Sequence, residues 1–383
     1  MCGLLGSFKY NLNVSSLSLS PISHRGPDGE GAWTSPDRRC WLGHTRLAIQ
    51  DLSQAGHQPI VSHCGRLSLI FNGEIYNHIQ LRQNLPFSSW RGHSDSETLV
   101  EGLAHEGLAF LSKVCGMFAF ASYDICSNEL LLCRDRLGIK PLYVLRQSDG
   151  LQFASEQRAI TDKIQLTPEA LSHVLSFGHI SSPSVFNETP ASFQIPISIP
   201  PGTAVYFNKK GHSRALRYWD HRYCTNSISQ PSFSTATNLP HASLLLRHKI
   251  EEVVSQHLIS DVPVACFLSS GLDSGILAAL ASRHLPGPIS TFTVALPGSS
   301  NDEALMSSQM AKHCGTTHHE LYIDHDQAMV LVEAALVSLD SPSADAINTY
   351  IISNAVSNQG IKVALSGLGA DELFGGYPSH RAI

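Results

Sequence analysis

Charge is scarce in this sequence. Asp, Glu, Lys and Arg make up 15% of 383 residues, and the formal balance is −6. No long basic run occurs, which excludes a surface built to coat nucleic acid. No apolar stretch reaches the length of a membrane span, so no membrane association is expected. The start lacks a basic n-region, and polar Ser7, Lys9 and Asn11 come early, so no signal peptide is expected. Metal and redox signatures are missing as well. The nine cysteines (Cys2, Cys40, Cys64, Cys115, Cys126, Cys133, Cys224, Cys266 and Cys314) form no C-x-x-C pair. Their odd count in a large chain argues against a disulfide framework and for a reducing, cytoplasmic setting. The twenty histidines include adjacent His318 and His319, but no H-E-x-x-H. A Walker A loop, G-x-x-x-x-G-K-[ST], is also absent.

What is present describes a globular chain: hydrophobic residues make up 43%, and the length suits two domains. The first half reads as short strands broken by Gly, Asn and Asp, at 40–49, 65–77, 116–124, 128–135 and 151–155. Helical patterns interrupt them near Ser94–Glu106 and Pro168–Phe177. Such clustering predicts stacked antiparallel sheets, with a last hairpin at 200–220. The stretch 224–243, rich in Ser, Thr, Asn and Pro, reads as a linker. Beyond it the pattern changes. Helices at 244–258, 275–284 and 302–315 alternate with strands at 262–268, 290–296 and 361–367, which predicts a parallel sheet with ligands at the strand ends. The expected division is 1–222, a linker over 223–242, and 243–383.

Polar residues sit oddly among the N-terminal strands. Cys2 follows the initiator Met, so removal of Met1 would join a thiol to a free α-amine, a nucleophile with its own base. Arg46 lies inside "HTRLAI" (44–49), Asn72, Gly73 and Glu74 close "FNGE" (71–74), and Asp95 opens a helix in "HSDSETL" (93–99). Each alone has an ordinary reading as a small core thiol, a solvated strand face, a hairpin or a helix cap. Together they suit the hydrolysis of a side-chain amide. That reaction needs a nucleophile, a base and donors for an oxyanion. Free glutamine also needs a cation for its carboxylate and an anion for its amine. A thiolate requires only a weak base near neutral pH.

The order MCG, HRGPDG, TRLAI, NGEIYN, SDSE, GMFAF, RDRLGIKPLY and ASE resembles the class II glutamine amidotransferase domain over roughly residues 2–220. Within that class it is most similar to the glutaminase half of the glutamine-hydrolysing asparagine synthetase family. The resemblance implies an α+β N-terminal-nucleophile hydrolase sandwich (αββα). It implies that Cys2 attacks glutamine, giving a glutamyl thioester and ammonia. Asn72 and Gly73 would form the oxyanion hole, Arg46 would bind the carboxylate, and Glu74 and Asp95 the amine side.

In the second half, "FLSSGLDSG" (267–275) lies between an apolar strand and a helix. Small residues there leave backbone N–H groups for a phosphate. It resembles the S-G-G-x-D-S loop of N-type ATP pyrophosphatases, with Ser270 in place of the first Gly. "ALSGLGADELFGGY" (364–377) adds a second Gly-rich strand end and the acids Asp371 and Glu372. Asp273 and Asp371 then stand on opposing loops suited to Mg²⁺ on a pyrophosphate. The stretch from about 245 to 377 resembles the α/β synthetase domain of the same family. The resemblance implies ATP contacts at Leu268, Ser269, Ser270, Gly271, Asp273, Ser274, Val294, Ser366 and Gly367. It also implies that ATP adenylates the aspartate side chain for amidation to asparagine by ammonia from the first site.

Two departures keep alternatives open. Leu368 stands where the family's S-G-E-G has Glu, and "LDSPSADAINTY" (339–350) lacks the pattern's Arg, with Asp345 nearby. The chain also stops soon after the D-E pair, so the second domain is expected to be incomplete on its C-terminal side. The alternatives are a glutaminase-only or regulatory relative, or amidation of a carboxylate other than aspartate. Ring closure of the β-lactam synthetase kind suits an intact Cys2 poorly, because it needs no ammonia. Small-molecule substrates are the expected partners, and a homo-oligomer remains open.

Overall fold

The computed structural model describes residues 1–9, 12, 17–87, 89–162, 168–177, 196–221, 238–295, 298, 302–343, 346–377 and 380. The chain divides into two compact units, Met1–Gln230 and Pro231–Ile383.

The first unit is built on strands β1 (Gly3–Lys9), β2 (Gly29–Thr34), β3 (Cys40–Arg46), β4 (Ile60–Val61), β5 (Leu67–Ile75), β6 (Gly116–Asp124), β7 (Glu129–Arg134), β8 (Tyr143–Gln147), β9 (Gly150–Ala154), β10 (Ile197–Ser198), β11 (Thr203–Phe207) and β12 (Ser213–Arg217). They form two six-stranded sheets, ordered β10-β8-β9-β1-β3-β2 and β12-β11-β7-β6-β5-β4. Every pairing in them is antiparallel.

Inner strands such as β1, β5 and β6 are buried on both faces and read as near-continuous hydrophobic runs, whereas the edge strands β2 and β12 are partly exposed. In β1, Leu4 and Phe8 point into the core between the sheets, with Ile70 of β5 and Leu132 of β7 opposite. Leu5 points the other way, onto Leu19 and Ile22. In β5, Leu69 and Phe71 face outward, beneath Leu99 and Leu103 of a helix. That helix, α2 (Asp95–Glu106), follows α1 (His78–Gln83) and starts at Ser94, whose hydroxyl accepts from the Glu97 amide. The outer face of the first sheet is covered by short 3₁₀ turns at Ser20–Arg25 and Gln157–Ala159. Helix α3 (Pro168–Phe177) leaves Leu175 and Phe177 exposed.

The second unit opens with α4 (Leu239–His257). The helix therefore begins inside the stretch read as linker, with Asn238 as its cap, and 222–237 lies outside the described residues. Strands β13 (Val264–Phe267), β14 (Ser290–Ala295), β15 (Thr317–Tyr322) and β16 (Val363–Leu365) pair in parallel. Helices α5 (Leu272–His284), α6 (Ala304–Cys314), α7 (His325–Ser338), α8 (Ala346–Asn358) and α9 (Ala370–Phe374) complete it. The sheet order is β15-β14-β13-β16, so β13 and β16 are neighbours whose chain connections leave in opposite directions. In open α/β sheets that switch point is where ligands bind.

The adjacent histidines have structural roles. His318 Nδ1 is 2.9 Å from the Thr291 hydroxyl, and the His319 ring stacks on Phe292 at 4.6 Å. Among the described residues no cluster of three or more His, Cys, Asp or Glu could hold a metal, and no helix is long and apolar enough to cross a membrane. The described cysteines are all free thiols.

Candidate active sites

Cys2 stands immediately before β1, which lies between β3 and β9 inside its sheet. The register pairs Gly3 with Thr45, so one step further sets Cys2 across from Arg46. The Leu47 amide donates to Cys2 Sγ at 3.4 Å, and Arg25 Nε donates to the Cys2 carbonyl at 3.0 Å. Arg25 is itself fixed by Glu156 at 2.7 Å. Burial pushes the thiol above its ordinary value, while the Leu47 amide, the terminal amine and Lys140 pull it back. Burial draws the Met1 α-amine down to about 6.

Across the sandwich, β5 carries Asn72, Gly73 and Glu74 opposite Ala119, Phe118 and Met117 of β6. Asn72 is 1% exposed and its Nδ2 has no hydrogen-bond partner. Leaving such a donor buried costs about 1–3 kcal/mol, so an unsatisfied amide here is a candidate for a ligand. Gly73 has a second reason to be glycine: a Cβ there would lie 2.2 Å from the Met117 carbonyl oxygen. This packing constraint adds to the oxyanion role that the resemblance implies for Gly73.

Glu74 and Asp95 form a buried acidic pair. Burial and then the charge of Asp95 raise Glu74 to about 7, against the pull of Lys140. Burial raises Asp95 to about 6 although the Ile75 amide donates to its Oδ2 at 2.9 Å. Arg46 stands at the end of β3, with its guanidinium occupied by the carbonyls of Ser53 at 3.0 Å, Gln50 at 3.4 Å and Asp51. It therefore ties down the 50–53 turn as well as facing Cys2 in register.

Four further motif residues have roles here that their spacing in the chain does not reveal. Asp28 of "RGPDG" accepts from the Ala48 amide at 2.7 Å, closing the turn after β3. His44 bridges the two sheets, its Nε2 being 3.1 Å from the Phe71 carbonyl. Asp135 and Lys140 of "RDRLGIKPLY" bring a carboxylate and an ammonium into the interior. The available signal was the density of charge in segments that are otherwise apolar.

In the second unit, a cavity of about 570 Å³ opens at the ends of β13 and β16. Leu268, Ser269, Gly271, Asp273, Ser274, Val294, Ser366, Gly367 and Asp371 all line it, which brings together the nucleotide residues read from sequence with one exception. Ser270 is not in the lining; its hydroxyl donates to Glu303 at 2.9 Å. Glu303, which sequence reading passed over, lines the cavity instead. Ser269 and Ser274 hydroxyls are 2.8 Å apart and brace the turn into α5. A Cβ on Gly367 would lie 3.2 Å from the Ser274 amide, so the second glycine loop sits against the start of that helix. Gly369, at φ 99°, supplies the left-handed turn before α9. A Cβ on Gly376 would lie 1.7 Å from Asp371 Oδ1, so "GGY" allows the chain to wrap this carboxylate. Leu368 lines the cavity and is 64% exposed. Asp345 lies outside the described residues.

Comparison with known proteins matches residues 1–219 to the glutamine amidotransferase domain family and residues 245–383 to the asparagine synthase family. The chain is 31% identical to asparagine synthetase [glutamine-hydrolyzing] 2 of Oryza sativa subsp. japonica, covering 98% of this chain and 60% of that protein. It is also 31% identical to asparagine synthetase [glutamine-hydrolyzing] 3 of Arabidopsis thaliana, covering 93% and 56%. It thus spans about 60% of the length of the curated relatives it matches. Among solved structures, glutamine phosphoribosylpyrophosphate amidotransferase from B. subtilis aligns at 16% identity and a TM-score of 0.43 over 84% of this chain and 81% of that chain, too low a score to argue from.

Proposed function

This chain belongs to the glutamine-hydrolysing asparagine synthetase family, and from that membership we propose that its first unit releases ammonia from glutamine through Cys2. The observation that carries this is the buried, unpartnered Asn72 amide on β5, in the sheet packed against the one whose strand β1 follows Cys2. With Met1 removed, the Cys2 α-amine takes the thiol proton and the sulfur adds to the carboxamide carbon. Asn72 Nδ2 and the Gly73 N–H receive the oxyanion. The amine returns its proton to the departing nitrogen, so ammonia leaves and a thioester remains for water to cleave. Arg46 offers charge to the substrate carboxylate, and ionised Glu74 and Asp95 offer it to the substrate ammonium. Purified protein is expected to release glutamate from glutamine, and Cys2→Ala to reduce this to background; release that survives the substitution would refute the assignment.

The second unit is read as the site where ATP activates a carboxylate for amidation, with aspartate and asparagine the family's substrate and product. Its serine and glycine turns suit a pyrophosphate, but the cavity lining holds Asp273, Glu303, Asp371 and Glu372 and no cationic side chain among the described residues. A polyanion fits such a lining only with a divalent cation. Asp273 and Asp371 would hold Mg²⁺, which would neutralise the leaving pyrophosphate. The same lining favours a second reading, in which the chain hydrolyses glutamine but does not make asparagine. Exposed Leu368 replaces a carboxylate, and no described lining residue pairs with an acceptor's carboxylate. Pyrophosphate release from ATP, Mg²⁺ and ammonia, with and without aspartate, separates the two readings.

A further inference from the structure

Lys140 closes the loop "RDRLGIK" (134–140), which is folded around the Asp135 carboxylate. The Leu137 and Ile139 amides donate to Oδ1 at 3.0 Å each, and the Lys140 amide donates to Oδ2 at 2.9 Å. The Phe118 amide of β6 adds a fourth bond at 3.2 Å. This wrapping fixes the backbone of Lys140, whose side chain is 8% exposed. Its ammonium donates to the Met1 thioether at 3.4 Å, its one hydrogen-bond acceptor among the described residues. A thioether is a weak acceptor, and an ammonium out of water demands better. The charges that act on it are Glu74 on β5, Cys2 at the start of β1 and Asp135 on its own loop in its favour, with Arg25 opposing.

We infer that Lys140 is a positioning residue for the thiol chemistry: with Met1 gone, its ammonium turns to the Cys2 thiolate and the Glu74 carboxylate and holds both in their charged forms. Met1 occupies the place of that partnership until it is removed. The inference rests on the glutaminase reading. Burial works against the ionised form of both acids, and Lys140 is the cation that favours it at both. The other charges in reach are Arg25 from the 3₁₀ turn, which opposes the ammonium, the terminal amine, which favours the thiolate, and Asp95 from α2, which disfavours it. Asp28 acts on the amine.

The test uses the full chain with Met1 removal verified by mass. Iodoacetamide alkylation of Cys2 is followed against pH on the N-terminal peptide, because Cys2 is half-buried while Cys64, Cys115 and Cys126 are exposed and would react as well. Lys140→Met is expected to raise the alkylation midpoint by about one pH unit or more. It should lower kcat/KM for glutamine near neutral pH about tenfold, with the acid limb of the profile displaced upward. Lys140→Arg should recover most of both. Lys140→Gln, read in the same way, serves if the methionine variant lacks a native circular dichroism spectrum. A wild-type midpoint in either folded neutral variant overturns the inference. Should glutamate release prove independent of Cys2, the glutaminase reading falls while the midpoint can still be scored. An unmoved midpoint beside Cys2-dependent release removes Lys140 alone.

Discussion

In the first unit, Asn72, Glu74, Asp95 and Lys140 are all less than a tenth exposed. Around the second unit's cavity, Ser366, Leu368 and Glu372 are exposed, and β16, which leads into the lining residues Ser366, Gly367, Leu368 and Gly369, is an edge strand of half-buried residues. The contrast extends to the surface: Met329, Val330, Leu336 and Val337 of α7 and Leu373 and Phe374 of α9 are apolar and exposed. Burial in the first unit itself raises Glu74 and Asp95, and it leaves the charges near them little water for screening. In the open cavity, water screens the carboxylates, and recognition falls to backbone N–H groups and any bound cation.

The largest effect expected from breaking this contrast is at Cys2, where Cys2→Ala should remove glutamate release entirely. Asn72→Ala comes next, with an expected loss of about 10²-fold in kcat and a smaller change in KM, the mark of a donor used mainly in the transition state. Steady-state kinetics on glutamine check both.

Two glycines compare the units by packing. Gly73→Ala would drive a Cβ into the Met117 carbonyl at 2.2 Å, and an expected cost of about 1–3 kcal/mol follows from overpacking against backbone. Gly271→Ala meets only the Ser269 hydroxyl at 3.2 Å and should cost about 1 kcal/mol or less. All four tryptophans lie in the first unit, so their fluorescence on heating reads the first substitution and not the second. Equal shifts in that signal would break the comparison.

The smallest effect has a definite sign. Glu74 is raised from an ordinary 4.5 to about 7, so the folded chain holds a proton that the unfolded chain releases. The stability this contributes is fully present below pH 4.5 and is lost as the pH rises through about 7. Glu74→Gln is therefore expected to stabilise the first unit at pH 8 by about 1–3 kcal/mol, with little effect at pH 4. The same substitution should raise KM for glutamine. A melting temperature that changes equally at both pH values would show that Glu74 is not the burdened group.

The strand at 116–124 could be read to the residue from "GMFAFASYD", because both of its faces are buried and the run is continuous. The helix at 95–106 was equally legible from its cap. Strand β15 and helices α7 and α8 were not. "THHELY" offers no apolar alternation, and both helices expose apolar side chains or show weak segregation, which blurs the helical period. Of the sites, the serine and glycine turns of the nucleotide cavity were visible because backbone chemistry leaves a compositional trace. Lys140, Glu303 and the task of Arg25 were not visible, because a partner found across the fold leaves no spacing in the chain. Gly73 was legible as a glycine, but the neighbour that demands it, Met117, lies on another strand.

The place of β1 has a practical consequence. Its first residue is already paired with Thr45 inside a six-stranded sheet. The Cys2 carbonyl is also tethered by Arg25. An affinity tag or leftover cleavage scar at this end would keep the chain continuous in front of Cys2. It would convert the amine next to the sulfur into an ordinary peptide nitrogen. On the proposed glutaminase reading, recombinant material carrying an N-terminal tag is thus expected to look well folded and to be inert toward glutamine, so an inactive tagged preparation would reflect the purification strategy and would not count against that reading.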